Sequence, residues 1–114
     1  MKILGIGIDI IKNARIKSLI NKKNFIKRTF GKNEIKSLNN KFNSTSYLAK
    51  RFAAKEAFAK SLGTGFRNKL NFKDIEILND KFGKPYYFES KKITNLIKKK
   101  FKVNKFNLFL SISD

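Results

Sequence analysis

Between Ser44 and Gly63 the chain spells out one long helix, and every other segment has to be arranged around it. Ser44, Thr45 and Ser46 all carry a side-chain oxygen able to cap a first turn. Leu48, Phe52, Ala59 and Leu62 then recur on one stripe, so that face must be buried. Gly63 is the residue that most readily takes the left-handed conformation closing a helix, and Thr64 and Gly65 continue the turn. The body of the helix, RFAAKEAFAK, carries an acid, Glu56, among Ala and Phe.

A second acid stands in a similar setting. Asp9 lies inside GIGIDII, in a chain with only 8 Asp+Glu against 27 Lys+Arg. A carboxylate placed in an apolar run costs several kcal/mol to bury unless it is paired or binds a metal. Local roles exist for both. Asp9 can cap the helix that follows it. Glu56 can pair with Lys60 at i,i+4, a surface contact worth about 0.3–0.5 kcal/mol. The surroundings favour a larger role. Arg51, Lys55 and Lys60 are expected to crowd Glu56, and the following turn, SLGTGF, has two glycines able to offer backbone N–H groups to an anion. An acid for a metal, a cation for phosphate and an anion-cradling turn make half a site for a metal-bound diphosphate, with Asp9 as the other half. The GxG before Asp9 is not the dinucleotide fingerprint, which needs a third glycine leading into a helix.

The chain has no Cys and no His, so disulfides, thiolate chemistry, imidazole bases and nearly all structural zinc sites are excluded. A metal must be held by oxygen, which favours Mg²⁺ or a similar hard cation, with Mn²⁺ an alternative. The net charge is +19, with Lys supplying 23 of the 27 cations. Lys, Asn, Ile and Phe share A/T-rich codons, so base composition accounts for part of it. A field of this sign also attracts acidic partners. A small basic RNA-binding or ribosome-associated domain is the alternative reading, supported by charge and 12 Phe. It is weakened because the Phe residues fall on apolar faces and no RNP-like aromatic strand is present. The N-terminus carries Asp9 and two glycines in its apolar stretch, so it reads as neither signal peptide nor membrane span, and a cytoplasmic protein is expected.

At 114 residues a single domain, 1–114, is expected. KILGIGI (2–8) reads as a buried strand, with Gly5 and Gly7 allowing another backbone to approach closely. Helices are predicted over 12–21 (Ile16, Leu19 and Ile20 inward, Arg15 outward), 24–30 and 33–39. FKDIEIL (72–78) reads as a strand, NDKFGKP (79–85) as a turn and YYF (86–88) as its return strand. SKKITNLIKKKF (90–101) is an amphipathic helix, and NLFLSIS (107–113) a final strand. The fold class is α+β, a small antiparallel or mixed sheet packed against a long helix.

GIGIDI, RFAAKEAFAKSLGTG, LNDKFGKPY and the terminal SIS-D together resemble holo-[acyl-carrier-protein] synthase, a family of small trimeric phosphopantetheinyl transferases, in order and spacing over nearly the whole chain. The resemblance implies a phosphopantetheinyl transferase-like fold and a homotrimer with active sites at subunit interfaces. It implies an enzyme of fatty acid biosynthesis moving 4′-phosphopantetheine from coenzyme A to a serine of apo acyl carrier protein, releasing 3′,5′-ADP. Asp9 and Glu56 match the family's Mg²⁺ ligands. Lys60 matches the lysine by the coenzyme A diphosphate, Gly63, Thr64 and Gly65 the loop near the nucleotide, and Arg15 a basic position that holds the carrier protein. Glu56 or a metal-bound water is the candidate base for the serine proton. No specific nucleic acid and no membrane is expected as partner. The chain departs from many relatives in carrying Asp114 where they carry His, and in stopping where relatives continue into a last strand. An open sheet edge, lower stability and reduced activity are expected from that, and a decayed remnant that folds without catalysing is a third reading.

Overall fold

The computed structural model describes residues 2–22, 24–38, 44–67 and 69–113. Asn39 at the end of the third predicted helix, residues 40–43 and Asp114 lie outside the described residues.

The central element is α4, Thr45–Ser61, and its start follows from its first residues. Ser44 accepts a hydrogen bond from Tyr47 N at 3.3 Å, satisfying one of the free N–H groups of the first turn. At the far end Gly63 turns the chain with φ +82°. Around α4 lie α1 (Asn13–Ile20), α2 (Phe25–Thr29) and α3 (Lys32–Leu38) on one side, and α5 (Lys91–Phe101), capped by Ser90, on the other.

Two apolar clusters divide the length of α4. Ile16, Phe25, Phe30, Leu48, Ala49 and Phe52 pack α1 and α2 on its first half. Phe58, Ala59, Leu62, Leu70, Ile75, Ile93 and Ile97 pack α5 on its second. At about 25 cal/mol per Å² such packing is the main stabilising term, and it makes α4 the shared wall of both clusters. Of the Phe residues read as core, Phe25, Phe30, Phe52 and Phe58 are buried, whereas Phe82 and Phe109 are exposed.

Three predicted strands come out differently. The segment 72–78 is a 3₁₀ turn, Phe72–Asp74, followed by β1, Ile77–Asn79. Asn71 and Asp74 cap each other reciprocally, which closes the turn and takes the backbone out of the extended region. β1 pairs antiparallel with β2, Pro85–Tyr87, through the turn organised by Asp80, whose Oδ1 accepts from Phe82 N and Lys84 N. That hairpin is the whole sheet among the described residues.

Residues 2–11 are extended but unpaired, and they are not the buried strand that was expected. Their alternation explains why. Gly5, Gly7 and Asp9 face α4, so Ile6, Ile8 and Ile10 point outward, each at least 74% exposed. Residues 105–113 likewise form no strand, with Leu108, Leu110 and Ile112 half-buried.

The close approach expected of the two glycines is present. A Cβ on Gly5 would lie 2.0 Å from Ser61 O, and one on Gly7 1.9 Å from Ala57 O. The N-terminal segment therefore lies directly on the backbone of α4, which no residue with a side chain could do. Gly7→Ala is expected to cost about 1–3 kcal/mol and lower the melting temperature, because the segment must lift off the helix. An unchanged melt would show that the segment is not seated there.

Candidate active site

α4 presents Ala53, Glu56, Ala57 and Lys60 toward the N-terminal segment, at the i, i+3, i+4, i+7 spacing of one helical face. Small alanines on this face let Gly5 and Gly7 seat, and seating them brings Asp9 over Glu56 and Lys60. Lys60 Nζ donates to Asp9 Oδ1 at 2.5 Å and to Ile8 O at 3.3 Å. Arg15 of α1 reaches Glu56, with Nη1 3.8 Å from Oε1, and its guanidinium lies over the Phe52 ring.

Two carboxylates thus meet between two cations. Burial raises the Glu56 carboxyl above its ordinary value, and the Asp9 carboxylate raises it further; Arg15 and Lys60 pull it back. The hydrogen bond to Asp9 raises the Lys60 ammonium, which keeps it charged at neutral pH. The capping role proposed for Asp9 does not survive, while Lys60 still attracts Glu56 at i,i+4. The residue before α1 is Lys12, whose side chain makes no cap, and Asp9 is turned to Lys60 instead. Lys60 reaches across the fold to Asp9 rather than serving only its own helix.

Two sequence expectations are corrected here. Arg51 and Lys55 do not crowd Glu56. Arg51 bonds Asn79 Oδ1 at 3.0 Å and lies over the Tyr47 ring, and Lys55 is buried against Glu34. At about 100° per residue Lys55 leaves the helix a quarter-turn away from Glu56, whereas Lys60 returns to within about 40° of it. Nor do the glycines of the following turn offer free N–H groups. Gly63 N donates to Lys60 O and Gly65 N to Ala59 O, so both close the end of α4. Gly63 and Gly65 hold φ +82° and +63°, and a Cβ at either would meet nothing, so conformation rather than space requires glycine. Gly63, Thr64 and Gly65 follow Lys60 in sequence at the end of α4, and the two glycine amides are spent on closing that helix.

A groove of about 660 Å³ opens beside Asp9, between residues 7–11, the Ala49, Ala53 and Ala57 face of α4, and residues 109–113. A larger cavity of about 1010 Å³ lies between α5, the end of α4 and residues 103–109, and none of Asp9, Arg15, Glu56 or Lys60 lines it. Charge rather than size marks the site.

The donor set suits a hard divalent cation shared with a substrate. Among the described residues no three of His, Cys, Asp and Glu come together, and Asp9 and Glu56 are the two carboxylates that meet beside Lys60. Mg²⁺ is commonly held by one or two carboxylates, with substrate phosphates and waters filling the remaining positions. The mutual repulsion that raises Glu56 is what a cation between the pair would relieve.

Sequence reasoning missed the polar residues on the other side of α4: Glu34, Glu76 and Tyr87. A signal for Glu76 existed, since it sits between Ile75 and Ile77 much as Asp9 sits among isoleucines.

Comparison with known proteins gives a consistent result. A family model described as the 4′-phosphopantetheinyl transferase superfamily matches residues 5–109. The holo-[acyl-carrier-protein] synthase of Pelagibacter ubique is 55% identical over 114 residues, covering 100% of this chain and 89% of that protein. The crystal structure of holo-[acyl-carrier-protein] synthase from Neisseria meningitidis superposes with a TM-score of 0.77 at 38% identity, covering 86% of this chain and 80% of the other. The Helicobacter pylori holo-[acyl-carrier-protein] synthase, solved in complex with coenzyme A, superposes with a TM-score of 0.67 at 33% identity, covering 82% and 80%.

Proposed function

Because this chain belongs to the 4′-phosphopantetheinyl transferase superfamily, we propose that the Asp9–Glu56–Lys60 cluster is where it carries out its transfer reaction. The enzyme is a holo-[acyl-carrier-protein] synthase. It moves 4′-phosphopantetheine from coenzyme A to a serine hydroxyl of apo acyl carrier protein, giving the holo protein and 3′,5′-ADP. The observation that carries the site assignment is the meeting of Asp9 and Glu56, from distant segments, beside the Lys60 ammonium.

The serine oxygen attacks the phosphorus that bears pantetheine, the bond from that phosphorus to the bridging oxygen breaks, and 3′,5′-ADP leaves with the electron pair. In this reading Glu56, the carboxylate beside Asp9 and Arg15, takes the serine proton. Lys60, half exposed at 55%, meets negative charge building on the diphosphate oxygens. Mg²⁺, or Mn²⁺ in its place, would be held by Asp9 and Glu56 and would supply charge neutralisation on the diphosphate. The loop Gly63–Gly65 borders the nucleotide in this reading. No covalent enzyme intermediate is needed, since positioning and electrostatics do most of the work in transfers of this kind.

Arg15 serves the carrier protein. It stands on α1 with a side chain 59% exposed, next to Glu56, where a serine presented by an acidic partner must arrive. Arg15→Glu is expected to raise the KM for the carrier protein about tenfold and leave that for coenzyme A alone. An unchanged carrier KM would remove Arg15 from the docking face.

The enzyme is read as a homotrimer. Ile6, Ile8 and Ile10 are 77%, 74% and 89% exposed on an unpaired extended segment, and Phe109 on the other such segment is 83% exposed. Apolar faces of this kind are normally covered by further chains. A monomer mass in sedimentation equilibrium at micromolar concentration would overturn this. Among the described residues no helix is long and apolar enough to cross a membrane, and the cytoplasm is the compartment this reading assigns.

The direct test is incubation with coenzyme A, Mg²⁺ and apo acyl carrier protein, followed by mass spectrometry of the carrier. A phosphopantetheine adduct is expected; its absence at saturating Mg²⁺ would overturn the assignment. The RNA-binding alternative finds no support in the family matches or in the burial of the core phenylalanines.

A further inference from the structure

α4 carries the site on one face and a set of buried polar bonds on another. Lys55, the residue before Glu56, is fully buried together with Glu34. Its ammonium donates to Glu34 Oε1 at 2.6 Å, to Phe72 O at 3.0 Å and to Ile75 O. Glu34 also accepts from Gly31 N and from Ile77 N of β1, both at 3.0 Å. Glu76 holds the start of α3 through Asn33 N, Asn33 Nδ2 and Glu34 N. One residue before Lys55, the Ala54 carbonyl accepts from the Tyr87 hydroxyl at 2.6 Å, while the Tyr87 ring packs on Phe58. All three protons of Lys55 are used inside the protein, so none is left for a substrate.

The face of α4 toward the N-terminal segment has little of its own to fix the rotation of the helix. Ala49, Ala53, Ala54, Ala57 and Ala59 make it smooth, and the N-terminal segment rests on it through two glycines. Side chains of this size interlock weakly, so the angle of the site face is set by what α4 holds elsewhere: Leu48, Phe52 and Phe58 in the two apolar clusters, Arg51 on Asn79, and the buried polar bonds. With side chains about 5–6 Å from the axis, a turn of roughly 15° moves the Glu56 carboxylate by about 1.5 Å. A displacement near 1 Å can cost about a hundredfold in rate. Directional polar bonds resist rotation where apolar contacts slide.

Resting on the transfer reading above, we propose that Lys55, with Glu34, and Tyr87 are positioning residues. They bolt α4 to the 3₁₀ turn and the hairpin, and so set the angle at which Glu56 and Lys60 meet Asp9.

The test uses two full-length variants, Tyr87→Phe and the double variant Lys55→Met with Glu34→Met. The double variant removes both charges, and replacing a buried ion pair by apolar groups of similar size commonly keeps the fold. Melting temperature, kcat, carrier KM and Mn²⁺ affinity by electron paramagnetic resonance are measured beside the parent. In the folded double variant kcat is expected to fall about tenfold and the Mn²⁺ Kd to rise about tenfold, with the carrier KM unmoved because α1 stays in place. Tyr87→Phe keeps its ring on Phe58 and is expected to lose about threefold in kcat. A folded double variant with parental kcat and Mn²⁺ Kd overturns the proposal and leaves the network a source of stability alone. If the double variant does not fold, Tyr87→Phe decides by the same two readouts. A parent that binds Mn²⁺ but transfers nothing sinks the functional reading, and the Mn²⁺ Kd of the variants still judges positioning; a parent that does neither sinks both.

Discussion

Asp9→Ala and Glu56→Ala each lower kcat by about 10²–10³ at saturating Mg²⁺, while both variants stay folded. The loss follows from removing a charge that has to act where the diphosphate reacts. The intact fold follows from the electrostatics of the pair. The Glu56 carboxyl is raised by burial first and Asp9 second. A carboxyl whose folded value is raised holds its proton more tightly folded than unfolded. Its contribution to stability is therefore complete below the ordinary 4.5 and is lost as the pH rises through the raised value. Above the raised value the ionised Glu56 is a net cost, so Glu56→Ala is expected to melt no lower than the parent. Asp9→Ala frees Lys60, which is exposed enough for water to solvate it. Turnover assays and thermal melts check both statements. Near-parental turnover would take that carboxylate out of the site, and a collapsed melt would make it structural.

Lys55→Met has the largest effect on stability, about 3–5 kcal/mol, seen as a melting temperature lower by about 10–20 °C. Burial lowers the Lys55 ammonium and raises the Glu34 carboxyl, and each partner pulls the other back toward its charged form. Geometry decides that the pair is ionised. Three acceptors face the Lys55 nitrogen, which only an ammonium can satisfy, and three N–H donors face Glu34, which only a carboxylate can accept. Removing Lys55 leaves that carboxylate buried and unpaired. Its folded value then moves further above 4.5, so the stability tied to Glu34 is present below 4.5 and lost as the pH climbs through the raised value. The melting deficit of Lys55→Met against the parent is accordingly largest at neutral pH and shrinks in acid. A deficit equal at neutral and acid pH would show that Lys55 contributes packing and not charge.

Much of the candidate site was legible because its signals are local or pairwise in kind. An acid in an apolar run is expensive in any fold, so Asp9 and Glu56 stand out before their partners are known. Gly5 and Gly7 announce a close approach, and the structure supplies α4 as the thing approached. The same criterion applies to Glu76, flanked by isoleucines, yet Glu76 caps α3 and has no part in the site. The pattern finds a costly acid; it does not say what relieves the cost. Segments 2–8 and 107–113 show the other limit. Their alternation is real, but pairing needs a neighbour at the right distance, and neither segment is paired among the described residues.

From the sequence alone follow the length and caps of α4, the amphipathic helix α5, the turn at residues 79–85, and the α+β class. Each depends on residues within a few positions of one another. Tertiary structure alone decided that Lys60 serves Asp9, that Arg15 leans on Glu56, and that Arg51 and Lys55 turn away toward the hairpin and α3. The reason is geometric: a helix fixes the angles between its own side chains, and only packing chooses what each sector faces.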